Sequence, residues 1–230
     1  MSEPKAPCWI RWNQPFPHPD LWPDDDLVVV GGTLSTSRLL SAYASGLFPM
    51  FIEDGQPVLW WSPNPRAVLW PNEVRVSRSL GKRLRRGEYH VTMNRAFETV
   101  IASCAKPRSG VQDTWITSNM RRAYIELHNQ GFAHSCETWF EGELVGGLYG
   151  VAVAGVFSGE SLFTRRSDAS KCALVHLCEH LPALGCSLID CQFRTDFLTS
   201  LGACEMSRRA YLARLNHSNQ QRSADGWRIA

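Results

Sequence analysis

The stretch HSCETWFEGELVGGLYGVAVAGVFSGESLF, residues 134 to 163, limits the fold of this chain more than any other. It alternates apolar, aromatic and small residues, with turn signals near Glu141-Gly142 and Ala154-Gly155. Tight turns of that kind match the twist of antiparallel strands, so the stretch reads as three consecutive strands joined by hairpins. Such a sheet needs cover. A helix over about 168 to 184 supplies some, followed by a strand, SLIDCQF, and a last helix around SRRAYLARL. The combination is an α+β fold whose mainly antiparallel sheet is covered by helices.

The remainder divides into two parts. Residues 1–64 are rich in Pro and Trp and hold one clear helix, capped by Ser35, with Leu39, Leu40 and Tyr43 on one face and Gly46 as its stop. Pro63 and Pro65 remove ladder donors and mark a join. A small N-terminal domain over 1–64 and a larger one over 65–230 follow from this. In the larger part, Asn94 is expected to cap a helix carrying Phe97, Val100 and Ile101. A second helix starts at Thr117 or Ser118 and closes at Gly131. The polar tail from Asn216 is expected to be loosely held.

Composition excludes several classes. No apolar run approaches the roughly 20 residues that cross a bilayer, and the first residues lack a signal-peptide core. A cytoplasmic location is the default, with no membrane partner and a monomer as the simplest assembly. The eight cysteines include no CxxC pair, and most sit among apolar neighbours, so they read as reduced thiols. No GxGxxG, P-loop or GxSxG occurs, which leaves dinucleotide, phosphate-loop and hydrolase readings unsupported.

Three polar features stand out. In SLIDCQF, strand alternation puts Leu188, Asp190 and Gln192 on one face and Ile189, Cys191 and Phe193 on the other. A carboxylate and an amide in so apolar a strand need partners. Glu160 lies in similar company, sharing a face with Ser158 and Leu162 on the same rule. These groups form either a buried network that fixes register or a reaction centre. Arg78, Lys82, Arg83, Arg85 and Arg86 form a basic run, either a solvated helix face or a phosphate-binding patch. Cys172, His176 and His180 fall four residues apart, a stripe read as helix surface or packing, with no metal assigned.

The strings LWWSPNPRAVLWP, GELVGGLYGV, GESLFTRRSDASK, LIDCQF and SLGACEMSRRAYL resemble those of the bacterial leucyl/phenylalanyl-tRNA–protein transferases, in uninterrupted order from about Leu27 to Leu215. The resemblance implies a small N-terminal domain followed by a GNAT-like one. It implies a cytoplasmic aminoacyltransferase that moves Leu or Phe, less readily Met, from aminoacyl-tRNA to proteins beginning with Arg or Lys. The product is marked for degradation by the N-end rule pathway. No cofactor is expected. Asp190 and Gln192 would lie at the reacting centre, with Glu160 beside them as a hydrogen-bonding or charge partner. Leu148, Phe157, Leu174, Leu181 and Ile189 would line the aminoacyl pocket. Trp115 would stack on the terminal adenosine, with Met50 standing where the family's FPWF string has Trp. The basic run Arg78 to Arg86 would grip tRNA phosphates. Two other readings stay open: an acyl-CoA-dependent acyltransferase, although the Gly-rich pyrophosphate loop is missing, and an RNA-binding module without chemistry.

Overall fold

A computed structural model describes residues 5–50, 54–106, 116–182 and 185–221, with side chains described to residue 215. The chain opens with β1 (Cys8–Ile10) and β2 (Leu27–Gly31), then α1 (Thr36–Ala44), β3 (Phe48–Met50) and β4 (Leu59–Trp61). These strands form a small sheet in the order β1-β2-β4-β3, parallel only between β1 and β2. Ser35 caps α1 by accepting the Arg38 amide, and Gly46 ends it at φ 81°, a backbone region that suits glycine. Phe48, Trp60, Val28 and Leu39 form its core, and the Trp60 indole donates to the Gly31 carbonyl at 2.8 Å.

The second part runs β5 (Arg66–Leu69), α2 (Arg78–Arg85), β6 (His90–Met93), α3 (Phe97–Cys104), α4 (Ser118–Asn129), β7 (Ala133–Phe140), β8 (Glu143–Val153) and β9 (Val156–Thr164). It continues through α5 (Ala169–His180), β10 (Leu188–Gln192), α6 (Asp196–Ser200), β11 (Cys204–Met206) and α7 (Arg208–Gln221). Seven strands order as β11-β5-β10-β9-β8-β7-β6, antiparallel everywhere except β9 against β10. The two hairpins turn at Glu141-Gly142 and Ala154-Gly155, where all four residues have positive φ, as the favoured two-residue turn requires. On one face, Leu174 and Leu177 of α5 pack on Leu148, Phe157 and Ile189. On the other, α3, α4 and α1 meet Tyr149 and Val151, while Tyr211 and Leu215 of α7 cover Val156 and Leu188.

Three local expectations change. Asn94 caps no helix: it sits at φ 57° and binds the Ser135 amide through its side chain, while Ala96 occupies the cap position of α3. α7 continues to Gln221, six residues into the polar stretch that composition marks as loose. Strand alternation fails twice. Register jumps at Glu160 in β9, which leaves that residue unpaired opposite β8, and again at Cys191 in β10. The first bulge rotates Leu162 onto the α5 side with Phe157. Beyond the second, Phe193 packs against Phe48 and Trp61 at 5.8 and 6.2 Å between ring centres while still bordering the hollow between β9 and β10. Pairing between β9 and β10 ends at Ser158–Asp190 although both strands continue. The hollow opens there.

α5 lies close to β8 because Gly146 offers no side chain. A Cβ built there would stand 2.5 Å from that of Ala169 and 2.9 Å from the Ala169 carbonyl carbon. Gly146→Ala should therefore push the start of α5 off the sheet and cost about 1–3 kcal/mol, read as a lowered denaturation midpoint in urea. A midpoint equal to that of the parent chain would show that α5 is not held by this approach.

Candidate active site

The hollow where β9 and β10 part has a volume of about 560 Å³. Leu148, Phe157, Leu174 and Ile189 line it, as do Leu162, Leu177, Phe197 and Leu198. Leu181, the fifth residue assigned to the pocket from sequence, does not. It is fully buried in the apolar cluster behind that wall. Leu177 was legible as the next residue on the Leu174 face of α5. Leu162 was not, because the Glu160 bulge inverts its side.

Asp190 lies at the edge of the hollow but its carboxylate has no exposed surface. Arg66 binds it in fork geometry, Nε to Oδ1 at 2.8 Å and a terminal nitrogen to Oδ2 at 2.5 Å. The Tyr211 hydroxyl donates to Oδ2 at 2.9 Å, and Ser158 Oγ lies 3.4 Å from it. The guanidinium sits over the rings of Phe48 and Tyr211, 4.8 and 4.6 Å from their centres. Arg66 went unnoticed in sequence, although it stands inside SPNPRAVLW. Asp190 Oδ1 also accepts the backbone N–H of Gln192 at 2.9 Å, which holds Gln192 at φ 63°, outside ordinary strand geometry. The pair therefore works through the backbone. Both residues border the hollow, where Gln192 keeps a little exposed surface and the Asp190 side chain has none.

Gln192 Nε2 donates to Glu160 Oε1 at 3.1 Å. Glu160 is buried, with the hydroxyls of Tyr43 and Tyr124 each 2.8 Å from one of its oxygens and 2.5 Å from each other. These three contacts close a ring. Each needs one proton, and the two hydroxyls supply two. An ionised Glu160 would leave the third contact as lone pair facing lone pair, whereas a protonated one completes it. Burial, together with the Asp190 carboxylate, pushes the Glu160 carboxyl up to about 7, against the two tyrosines that draw it down. The tyrosines stay protonated, since burial and Glu160 raise both. The Tyr149 hydroxyl lies beside this ring, buried and without a partner among the described residues.

The other candidate residues scatter. Met50 is half-buried at the end of β3 and is not among the residues lining the hollow. Trp115 falls outside the described residues. Of the basic run, Arg78, Lys82, Arg85 and Arg86 are exposed on and just after α2. Arg83 is instead engaged with Glu88 at 2.7 Å and Asp168 at 3.6 Å and lies over Tyr89. Leu80 seats α2 on α5 through Cys172 and Val175. The stripe of Cys172, His176 and His180 divides accordingly, with Cys172 turned under α2 and the two imidazoles left together. Among the described residues no helix is long and apolar enough to cross a membrane.

Comparison with known proteins adds to this geometry. Residues 68–216 match the profile of the leucyl/phenylalanyl-tRNA protein transferases, and residues 32–64 match that family's N-terminal domain. A leucyl/phenylalanyl-tRNA–protein transferase of Chromobacterium violaceum is 49% identical over 92% of this chain and 88% of its own. One from Nitrosospira multiformis is 52% identical over 90% of each. One from Pseudomonas fluorescens is 56% identical over 82% of this chain and 84% of its own. Among solved structures, a GCN5-related N-acetyltransferase from Kribbella flavida gives a TM-score of 0.39 at 12% identity, over 63% of this chain and 55% of that one. L-PGS from Bacillus licheniformis gives 0.41 at 12% identity, over 86% and 62%. The α+β assignment rests on the strand order, not on these remote likenesses.

The proton count in the tyrosine ring has a measurable consequence. Glu160 binds its proton more tightly folded, near 7, than at its ordinary 4.5. Its contribution is therefore full below 4.5 and lost as pH rises through 7, a change on the order of 3 kcal/mol. Glu160→Gln, an isostere of the protonated acid, should remove that slope, so the difference in unfolding free energy between variant and parent should shift toward the variant across this window. Parallel pH–stability curves would mean that Glu160 is ionised in the folded protein.

Proposed function

The chain belongs to the leucyl/phenylalanyl-tRNA protein transferase family, and we propose that the hollow between β9 and β10 is where it carries out that transfer. The donor is Leu- or Phe-tRNA and, less readily, Met-tRNA; the acceptor is the N-terminal amine of a protein beginning with Arg or Lys, in the cytoplasm. The product is handed to N-end rule degradation. The observation that supports this assignment is an apolar wall beside a buried amide, with Leu148, Phe157, Leu174, Ile189 and Gln192 all lining the hollow. In this reading the four apolar residues surround the aminoacyl side chain and Gln192 lies near the ester carbon.

The reaction joins the amine nitrogen to the ester carbonyl carbon and breaks the bond to the ribose oxygen. One amine proton is lost and the departing oxygen gains one. The ester is already activated, so alignment is the main demand, and holding both partners in attack geometry removes on the order of 7–11 kcal/mol of barrier at best. Gln192 is fixed at two points, its amide N–H on Asp190 and its Nε2 on Glu160. With Nε2 engaged, the side-chain oxygen is the atom offered to the attacking amine as hydrogen-bond acceptor. An amide is a poor base, so Gln192 orients the amine, and the proton passes through the substrate's own groups to the ribose. Asp190 is a positioning residue. Glu160 positions the Gln192 amide through its hydrogen bond, and in its ionised form it would also be a charge partner for the substrate ammonium. A pocket of this kind separates side chains differing by one methylene by only about 1–3 kcal/mol, so Leu and Met are not sharply separated. Trp115 and Met50 are assigned to the terminal adenosine on the resemblance alone.

In single-turnover transfer from labelled Leu-tRNA to a peptide beginning with Arg, Gln192→Ala should slow the chemical step by on the order of 10²-fold or more while tRNA affinity stays close to that of the parent. Peptides beginning with Lys should also be labelled and those beginning with Ala should not. An unchanged rate would remove Gln192 from the chemistry, and retention of the tRNA without any transfer by the parent chain would favour an RNA-binding module. Replacing Arg78, Lys82, Arg85 and Arg86 together by Gln should make the dependence of log affinity on log salt shallower by about 3, if all four meet phosphates. An unaltered slope would assign α2 to solvent.

A further inference from the structure

The sequence HLCEH at the end of α5 sets two imidazoles one helical turn apart with a carboxylate between them. The rings of His176 and His180 lie 4.2 Å apart, centre to centre. Glu179 joins them: one donor atom from each of the three residues lies within 4.8 Å of the other two. The tautomer of His180 is fixed as well. Its Nδ1 is 2.7 Å from the backbone carbonyl of His176, which only accepts, so in the neutral ring Nδ1 carries the proton and Nε2 the lone pair. A protonated nitrogen on a carbonyl and a free one opposite is the arrangement that metal-binding histidines use to aim their ligand atom.

Three further features agree. Tetrahedral zinc, with His nitrogens at about 2.0–2.1 Å, needs donors about 3.4 Å apart. Glu179 and His180 are exposed and His176 is half-buried, so side-chain rotation closes the gap without moving the helix. The group also stands on the last turn of α5, where the helix dipole favours a cation. Cys172, one turn earlier, is packed under Leu80 and stays out of the set.

We propose that His176, Glu179 and His180 form a binding site for one borderline divalent transition-metal ion, of the zinc, cobalt and nickel class, with a fourth position open to water. The ion clamps the final turn of α5 just before Pro182 ends it. That helix carries Leu174 and Leu177 into the wall of the hollow, so the clamp steadies one side of the pocket from outside. It takes no part in the transfer chemistry.

Cobalt titration of the chelator-treated full chain under reductant tests this. The expected result is one bound equivalent with d–d absorption, no thiolate-to-cobalt charge-transfer band, and a Tm that rises with cobalt concentration. The double variant His176→Ala/His180→Ala should lose at least about tenfold in affinity together with the Tm rise, while its metal-free Tm and its transfer rate match the parent. The single variant His180→Asn, at an exposed position, should weaken binding likewise, and Cys204→Ser should leave it intact. The proposal fails if the parent binds no cobalt, if the histidine variants bind as the parent does, or if a thiolate band places the ion on cysteines.

Discussion

The ion pair between Arg66 and Asp190 holds this structure in register. Both groups are sealed from water, and desolvating two charges costs several kcal/mol each unless fork geometry and further hydrogen bonds offset it. Here they do. Arg66 comes from β5, Asp190 from β10, the second donor Tyr211 from α7, and a guanidinium nitrogen reaches back to the Gly46 carbonyl at 3.2 Å, at the end of α1. One interaction therefore ties the N-terminal sheet, the central strands and the last helix. Removing either partner strands a buried charge, so the pair and the ring pocket that encloses it form a single unit.

The site is built by departures from regular structure. A bulge at Glu160 and another at Cys191 end the pairing of the two parallel strands and open the hollow between them. The same bulges deliver the polar groups: Glu160 turns to the tyrosines on one side, and Gln192 is bent to φ 63° by the Asp190 carboxylate. Bulges cost ladder hydrogen bonds, and they recur beside reaction sites because they re-aim side chains that a regular strand would alternate.

Much of the fold was legible because it rests on local signals. The hairpin turns, the Ser35 cap, the helix start at Thr117 or Ser118 and the start of α5 come from turn chemistry, capping and periodicity, and all are present, although α5 ends at His180, short of the expected 184. The resemblance carried by five strings also led to the family that the comparisons show. What escaped depends on contacts distant in sequence. Arg66 reads as an ordinary charged residue until Asp190, 124 positions later, is placed against it. Leu162 lies on the unexpected side because no periodicity announces a bulge. Leu181 carries the right residue type for a pocket wall, but it sits behind that wall in the packed interior.

When Glu160 is protonated, the ring of Tyr43, Tyr124 and Glu160 holds three protons on three contacts and can run in either of two directions. Reversing it carries hydrogen from one carboxyl oxygen to the other without creating any ion in a low-dielectric interior. The two senses differ at Oε1, which in one is a hydroxyl and in the other a bare carbonyl oxygen facing Gln192. The grip on that amide is thus set by a hydrogen isomerism that no heavy-atom movement accompanies.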